Sequence, residues 1–351
     1  MELRELGTSG LSVPPVIFGT WAMGGLWWGG SDDKLAIQAI RAGIDSGLTA
    51  IDTAPIYGYG RSERVVGEAI RGQRDRVVLA TKFGQPWDRG EGRFLYSLRD
   101  ESGMQHKVYM TSRPESVFAE CEESLKRLGT DVIDLYQCHV YDGVTRAEVL
   151  MEGMLRLKEQ GKIRAIGVSS FGVRLLEPCV QAGPLHCNQV RYNPLCRGVE
   201  ADVLPFCRCH NIAVIVYSPL ERGLLTGKIT MDRQFPERDM RRRNLLFGTK
   251  SRRCVLDALE KLRPIAERHN ATMAQIVVNW ITRVPGITAA IIGARTPEQA
   301  RENAGATAFA LSAEEWAFMS GVFDQLSADM PKHRARRLLR WAKRRVRSAF
   351  R

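Results

Sequence analysis

Residues 50–60 read AIDTAPIYGYG: an apolar run ending in Asp52, a short loop through Pro55, and two tyrosines set among glycines. An apolar strand followed by glycines is how a doubly wound dinucleotide-binding sheet opens, and that fold needs GxGxxG for its turn, its approach to pyrophosphate and its helix packing. Here Gly58-Tyr59-Gly60 runs into Arg61-Ser62-Glu63, so the third glycine is missing, and no GxxxxGK[ST] occurs elsewhere. The strand at 50–54 therefore belongs to a different α/β architecture.

Working outward, β-rich runs alternate with segments of helical period, the pattern of βα units around a parallel sheet. Eight runs are present: Val16–Thr20, Ala50–Ala54, Val77–Lys82, Ile133–His139, Arg164–Ser169, Cys187–Tyr192, Ala213–Ser218 and Ala289–Gly293. Helical stretches at Asp33–Ser46, Pro114–Leu128 and Ala147–Gln160 lie between them, with stops at Gly47, Gly129, Gly161 and Gly183, where a left-handed residue ends a helix. In the second stretch, Val117, Cys121, Ser124, Leu125 and Leu128 make one stripe. The expected fold is a closed (β/α)8 TIM barrel over residues 1–328, with an N-terminal β-hairpin turning at Thr8-Ser9-Gly10 and extra C-terminal helices. Residues 329–351 read as a separate basic amphipathic tail.

Composition limits the function classes. The chain has 351 residues, 44% of them hydrophobic, enough for one large core. It holds no run of ~20 uncharged apolar residues, and MELRELGTSG lacks the pattern of a secretory signal, so a cytoplasmic protein is expected. Eight cysteines form no CxxC pair, and Cys207, Cys209 and His210 on one short helix cannot converge on one ion; reduced thiols and no metal are expected. Ten of the Lys and Arg residues fall in Lys332–Arg351 with no acid among them, so subtracting ten from the net +12 leaves +2 for the rest. A near-neutral body argues against nucleic acid as the main partner. The tail, with Leu338, Leu339, Ala342, Val346, Ala349 and Phe350 between cations, suits a solvated end or docking on an anionic membrane or acidic partner, which would make the protein peripheral to a membrane.

Asp52, Lys82, His139, Ser169 and Ser218 all fall at the ends of apolar strands. In a barrel those ends converge on one face, where active sites of this fold are built. Tyr57 can act as a general acid if a nearby ammonium lowers its pKa; Lys82 can supply that charge, Asp52 can hold Lys82, and His139 can donate to a carbonyl oxygen. Taken singly, each reads equally well as a cap, a solvated cation or a core histidine. Their order on successive strands makes the combination specific.

The chain resembles the aldo/keto reductase superfamily from about Leu6 to Leu326, through GTSGLSVPPVIFGTW, IDTAPIYGYGRSERVVGEAI, VVLATKFG, SLKRLGTDVIDLYQCH, KIRAIGVSSF, NQVRYNPL, YSPLERGLLTGK and GARTPEQARENAGA in family order. The resemblance implies a catalytic tetrad of Asp52, Tyr57, Lys82 and His139, reducing an aldehyde, ketone or keto-sugar to an alcohol. Histidine at 139, where some members carry glutamate and reduce carbon–carbon double bonds, favours carbonyl chemistry. It further implies that Ser169, Ser170 and Gln189 hold the nicotinamide carboxamide, that Tyr217 stacks on the ring, and that Gly19, Thr20 and Trp21 border it. Ser218, Pro219, Leu220, Gly223 and Lys228 resemble the loop over the pyrophosphate, and Gly293, Arg295, Gln299, Glu302 and Asn303 the 2′-phosphate and adenine site, which favours NADPH over NADH. Ser170 replaces the common asparagine and Ile292 the common proline; Gly293 and Gln299 place the chain nearer the bacterial and potassium-channel β-subunit branch. That branch leaves a second reading, a cofactor-sensing subunit with little turnover. The loops at 24–30, 87–110 and 230–250 set substrate choice, with Trp21, Trp27, Trp28 and Trp87 either lining the pocket or packing the loops down.

Overall fold

The computed structural model of the chain describes residues 2–26, 30–237 and 239–331. Strands β1 (Arg4–Glu5) and β2 (Ser12–Val13) pair antiparallel as the expected hairpin. The barrel opens with β3 (Val16–Gly19), β4 (Ala50–Asp52) and β5 (Val78–Phe83). An antiparallel ribbon, β6 (Arg93–Arg99) and β7 (Gln105–Met110), interrupts it. The barrel resumes with β8 (Ile133–Cys138), β9 (Ile163–Ser169), β10 (Cys187–Arg191), β11 (Ala213–Tyr217) and β12 (Ala289–Gly293). All eight barrel strands run parallel and close through the pairing of β12 with β3.

Ten α-helices appear among the described residues. They are α1 (Asp33–Asp45), α2 (Arg61–Ile70), α3 (Pro114–Leu128), α4 (Ala147–Glu159) and α5 (Val173–Ala182), then α6 (Val203–Cys209), α7 (Thr249–Arg268), α8 (Met273–Thr282), α9 (Pro297–Ala304) and α10 (Ala313–Asp329). Helix α3 starts with proline in its first turn, where the missing N–H costs nothing, and stops at Gly129 with φ 64°. Its expected stripe is buried throughout. Gly47 and Gly161 also take positive φ after their helices. Gly183 does not: it is extended at φ 164° and ψ −176°, because Pro184 follows and forces the residue before it out of helical space.

Strand alternation sorts the core into two layers. Ile17, Ala50, Ala80, Leu135, Ala165, Cys187, Ala213, Ile215, Ala289 and Ile291 fill the barrel, with Leu6 and Val13 of the hairpin packed on them. Their neighbours, such as Phe18, Ile51, Leu79, Tyr136, Val168 and Val214, face outward into the larger core under the helices. Fully burying each Leu, Ile or Phe contributes ~1.5–3 kcal/mol. The hairpin plugs the end of the barrel where the strands begin, and Arg4 Nη1 ties it to the carbonyls of Thr282 (2.7 Å) and Thr288 (3.0 Å). The opposite end stays open.

Two expectations need correction. Several strands shift by a residue or two at an end, so that His139 and Ser218 sit just past β8 and β11 and Lys82 one short of the end of β5. The 87–110 segment, read as a loop, forms the β6–β7 ribbon, whose strands pair antiparallel with a register shift between Phe94 and Tyr96, and Gly103 at φ 89° makes its turn. No helix among the described residues is long and apolar enough to cross a membrane. Trp27 and Trp28, and the tail from 332, lie outside the described residues.

Candidate active site

Moving one alternation step further along the inward face of each strand replaces the apolar filling with polar groups. Ala50 gives way to Asp52, Ala80 to Lys82, Leu135 to Gln137 and His139, Cys187 to Gln189, and Ile215 to Tyr217. These groups meet at the open end of the barrel, in and beneath a cleft of about 690 Å³. That volume lies within the range of small-molecule and cofactor sites.

Lys82 is fully buried, and its Nζ donates to Asp52 Oδ1 at 2.6 Å and to the Thr53 carbonyl at 2.8 Å, with Tyr57 Oη at 3.5 Å. Burial disfavours its charge, but Asp52 and Tyr57 outweigh that and hold the ammonium above its usual pKa. The other Asp52 oxygen accepts from Gln189 Nε2 (2.7 Å) and Gln137 Nε2 (3.3 Å). Burial raises the Tyr57 phenol pKa, and Lys82, which pulls it down as expected, offsets this only in part, so the net shift is upward. The ring of His139 stands edge-on to Tyr57, centroids 5.9 Å apart at 85°. Burial, reinforced by Lys82, holds that imidazole well below its usual pKa, so it is neutral near pH 7.

The Tyr57 loop is placed by backbone contact. A Cβ on Gly24 would fall 2.6 Å from the Tyr57 carbonyl carbon, and one on Gly58, which has φ 67°, would fall 2.3 Å from the Gly24 oxygen. Only two glycines allow this approach.

Of the expected cofactor residues, Gly19, Thr20, Trp21, Ser169, Gln189, Tyr217, Ser218, Pro219, Leu220, Gly223, Lys228, Gly293, Arg295, Gln299, Glu302 and Asn303 all line the cleft. Ser170 does not; with φ 62°, a left-handed conformation asparagine tolerates better, its Oγ turns to Tyr217 Oη at 3.3 Å. The loop after β11 is strained, with positive φ at Ser218, Glu221, Arg222 and Gly223. Buried Glu221 pins it, paired with Arg191 and accepting from Asn193 Nδ2 at 3.0 Å. Across the cleft Lys228 pairs with Glu302 at 3.1 Å. Helix α9 is capped by Thr296, whose side chain accepts from Gln299 N, and Arg295 precedes that cap at the cleft wall with Nη2 donating to the Gly30 carbonyl at 2.9 Å. Cationic side chains and a helix N-terminus along one wall suit a phosphorylated ligand.

Among the tryptophans, Trp21 lines the cleft, whereas Trp87 packs outside it, against Tyr59 and under Arg127 at 5.5 Å. Gln85, Tyr96, Gln137, Arg222 and Arg241 were not anticipated; all but Gln137 line the cleft. Tyr96 arrives on β6, where Phe94, Leu95 and Tyr96 stand in a row, so no alternation in the sequence marked it as facing the cleft. Gln137 takes the inward position two before His139.

A parallel eight-stranded barrel with buried ionisable groups at the strand ends defines an enzyme of the TIM-barrel class. The model of the aldo/keto reductase family matches residues 15–323, and the chain belongs to that family of NAD(P)H-dependent oxidoreductases, which act on small-molecule carbonyl compounds. The NADH-specific methylglyoxal reductase of Escherichia coli is 35% identical over 332 residues, 93% of this chain and 99% of that protein. Glycerol dehydrogenase AKR11B4 from Gluconobacter oxydans is similar in structure with TM-score 0.82 and 34% identity, over 92% of this chain and 95% of its own. An aldo/keto reductase from Klebsiella pneumoniae, solved with NADP and acetate, gives TM-score 0.67 and 31% identity over 93% and 95% of the two chains.

Proposed function

We propose that the chain reduces an aldehyde or ketone to an alcohol with NADPH, with Tyr57 delivering the proton. The observation that carries this reading is the contact chain from Asp52 through Lys82 to Tyr57, with a neutral His139 facing the phenol. When bound, the nicotinamide supplies a hydride to the carbonyl carbon. Tyr57 Oη–H donates its proton to the carbonyl oxygen, giving the alcohol, and the phenolate left behind faces the Lys82 ammonium at 3.5 Å. His139 orients the same oxygen through a ring N–H, while Asp52 keeps Lys82 charged.

The residues lining the cleft fit the cofactor. Ser169 and Gln189 would hold the carboxamide and Tyr217 would stack on the ring beside Gly19, Thr20 and Trp21. Ser170 would act only through the Tyr217 hydroxyl. Ser218, Pro219, Leu220, Gly223 and Lys228 would enclose the pyrophosphate, and Gly293, Arg295, Gln299, Glu302 and Asn303 the adenosine end. The planar fork of Arg295 beside the α9 N-terminus suits a 2′-phosphate, which supports NADPH. The Klebsiella structure holds NADP, but the Escherichia coli relative is NADH-specific, so this preference is tested directly.

The test follows cofactor oxidation against a panel of aldehydes, ketones and keto-sugars. Turnover is expected with wild type and a loss of roughly 10²–10⁴-fold in kcat with Tyr57→Phe. Arg295→Ala should raise KM for NADPH ~10-fold and leave NADH unchanged; equal effects on both would reject the 2′-phosphate contact. Tight NADPH binding with no turnover on the whole panel would favour the sensor reading.

A further inference from the structure

We propose that Gln85 selects the substrate by binding an oxygen on the carbon next to the reacting carbonyl, so that the substrate class is a small 2-hydroxy or 2-oxo carbonyl compound. This deepens the reductase reading above and rests on it. The order of strands divides the cleft into two arcs. The residues assigned to the cofactor come from β9, β10, β11, β12 and β3 and the segments after them, whereas Asp52, Tyr57, Lys82 and His139 come from β4, β5 and β8. Gln85 lines the cleft two residues after β5, on the second arc, where the carbonyl must lie.

The main chain around Gln85 is fixed from three directions. The Phe83 carbonyl accepts from His139 N at 2.9 Å, Gly84 N donates to both carboxylate oxygens of buried Glu120 at 3.1 Å, and the Pro86 carbonyl accepts from Tyr109 N of β7 at 2.9 Å. Gln85 is therefore held beside His139, the residue assigned to the carbonyl oxygen. A group placed by its own backbone loses little freedom when it meets a ligand.

Its side chain differs from the other amides that line the cleft. Gln189 Nε2 donates to Asp52 at 2.7 Å, Gln299 Oε1 accepts from Arg295 N at 2.8 Å, and Asn303 Nδ2 donates to the Gly293 carbonyl at 3.2 Å. Gln85 is only 9% exposed, yet no described residue hydrogen-bonds its side-chain amide. A buried amide without a partner is costly, and a ligand that supplies one relieves that cost. A primary amide donates, accepts and carries no charge, which matches a hydroxyl or a second carbonyl. The other side chains lining this arc include Ile56, Tyr96 and Val140, so a hydrocarbon substituent would fit among them but leave the amide unmet.

Wild type and Gln85→Met, a change close in shape that removes both hydrogen-bonding atoms, are compared in the reduction of hydroxyacetone and of butanone, which differ by a hydroxyl in place of a methyl. Hydroxyacetone is also the more electrophilic ketone, so the readout is the ratio of the two kcat/KM values, which should fall roughly ten- to hundredfold on substitution. Saturation-transfer NMR of the NADP+-loaded protein with the corresponding alcohols, propane-1,2-diol and butan-2-ol, reads the same contact without turnover. The diol signal should weaken in Gln85→Met relative to that of the butanol. A ratio that does not move, or diol binding that survives the substitution, would overturn the proposal; an equal fall for both ketones would also overturn it, by giving Gln85 a structural role alone. If wild type reduces neither ketone, the reductase reading itself loses its support, and the NMR comparison still decides the Gln85 contact.

Discussion

A lysine with no solvent contact is costly to keep charged, and the residues around Lys82 explain how the barrel manages it. Asp52 and the Thr53 carbonyl hold its ammonium, and Asp52 is itself held by Gln137 and Gln189. Removing either member of such a pair strands the other, at ~3–5 kcal/mol. The phenol of Tyr57 faces this charge but is raised above its usual value of about 10, because burial disfavours the phenolate more than Lys82 favours it. A raised pKa keeps the proton on through neutral pH. The kcat for reduction should therefore be level from pH ~6 to ~9 and fall only above ~10, while oxidation, which needs the phenolate, should rise with pH. Steady-state profiles in both directions check this; a reduction limb with a midpoint near neutrality would assign the proton to a different group. At this scale Asp52, Lys82 and His139 were legible because a lone polar residue ends an apolar run. Gln137 was not, since a glutamine inside such a run has no meaning until the inward face is known.

At the scale of elements, the β6–β7 ribbon carries Tyr96 to the cleft and is anchored through His106. Its Nδ1 meets Asp88 Oδ2 at 2.5 Å, its Nε2 meets Asp100 Oδ2 at 3.1 Å, and its ring packs on Tyr59 with centroids 4.0 Å apart. Burial pulls the imidazole pKa down, but the two carboxylates outweigh it and raise it above 6.5; Asp100, held by the Ser102 hydroxyl and then by His106, is lowered to about 2. A histidine raised on folding contributes its full stabilisation below the unfolded value and loses it as pH climbs through the folded one. Amide exchange in 93–110 should therefore accelerate as pH rises past the raised value, beyond the intrinsic trend, and His106→Ala should abolish that pH dependence. An identical pH response in the variant would show that His106 does not anchor the ribbon. Nothing local in the sequence announces that Asp88, Asp100 and His106 close on one another.

For the whole molecule, closure depends on the C-terminal helices as much as on the strands. Trp280 of α8 stacks between Tyr192 (6.3 Å) and Trp316 of α10 (6.0 Å), meets Phe323 at 4.8 Å, and donates through Nε1 to Ser320 Oγ at 2.9 Å. Trp280→Ala should destabilise the protein by ~3–5 kcal/mol, because the cavity borders three elements that cannot all collapse into it. Denaturant unfolding measures this; a loss below ~1 kcal/mol would show that α10 holds without the stack.

The barrel, its order of strands and helices, and the polar strand ends were determined by the sequence itself, because alternation, helical period and turn residues are local properties of the chain. Gly129 after α3 and Thr296 before α9 act through bonds to near neighbours, so their role is readable without a partner. Only the tertiary structure decided that burial outweighs Lys82 at Tyr57, that Ser170 turns from the cleft to Tyr217, and that Trp87 packs away from the cleft while Tyr96 enters it. Each of these depends on groups far apart in the chain, and desolvation, packing and charge act through distances that folding alone sets.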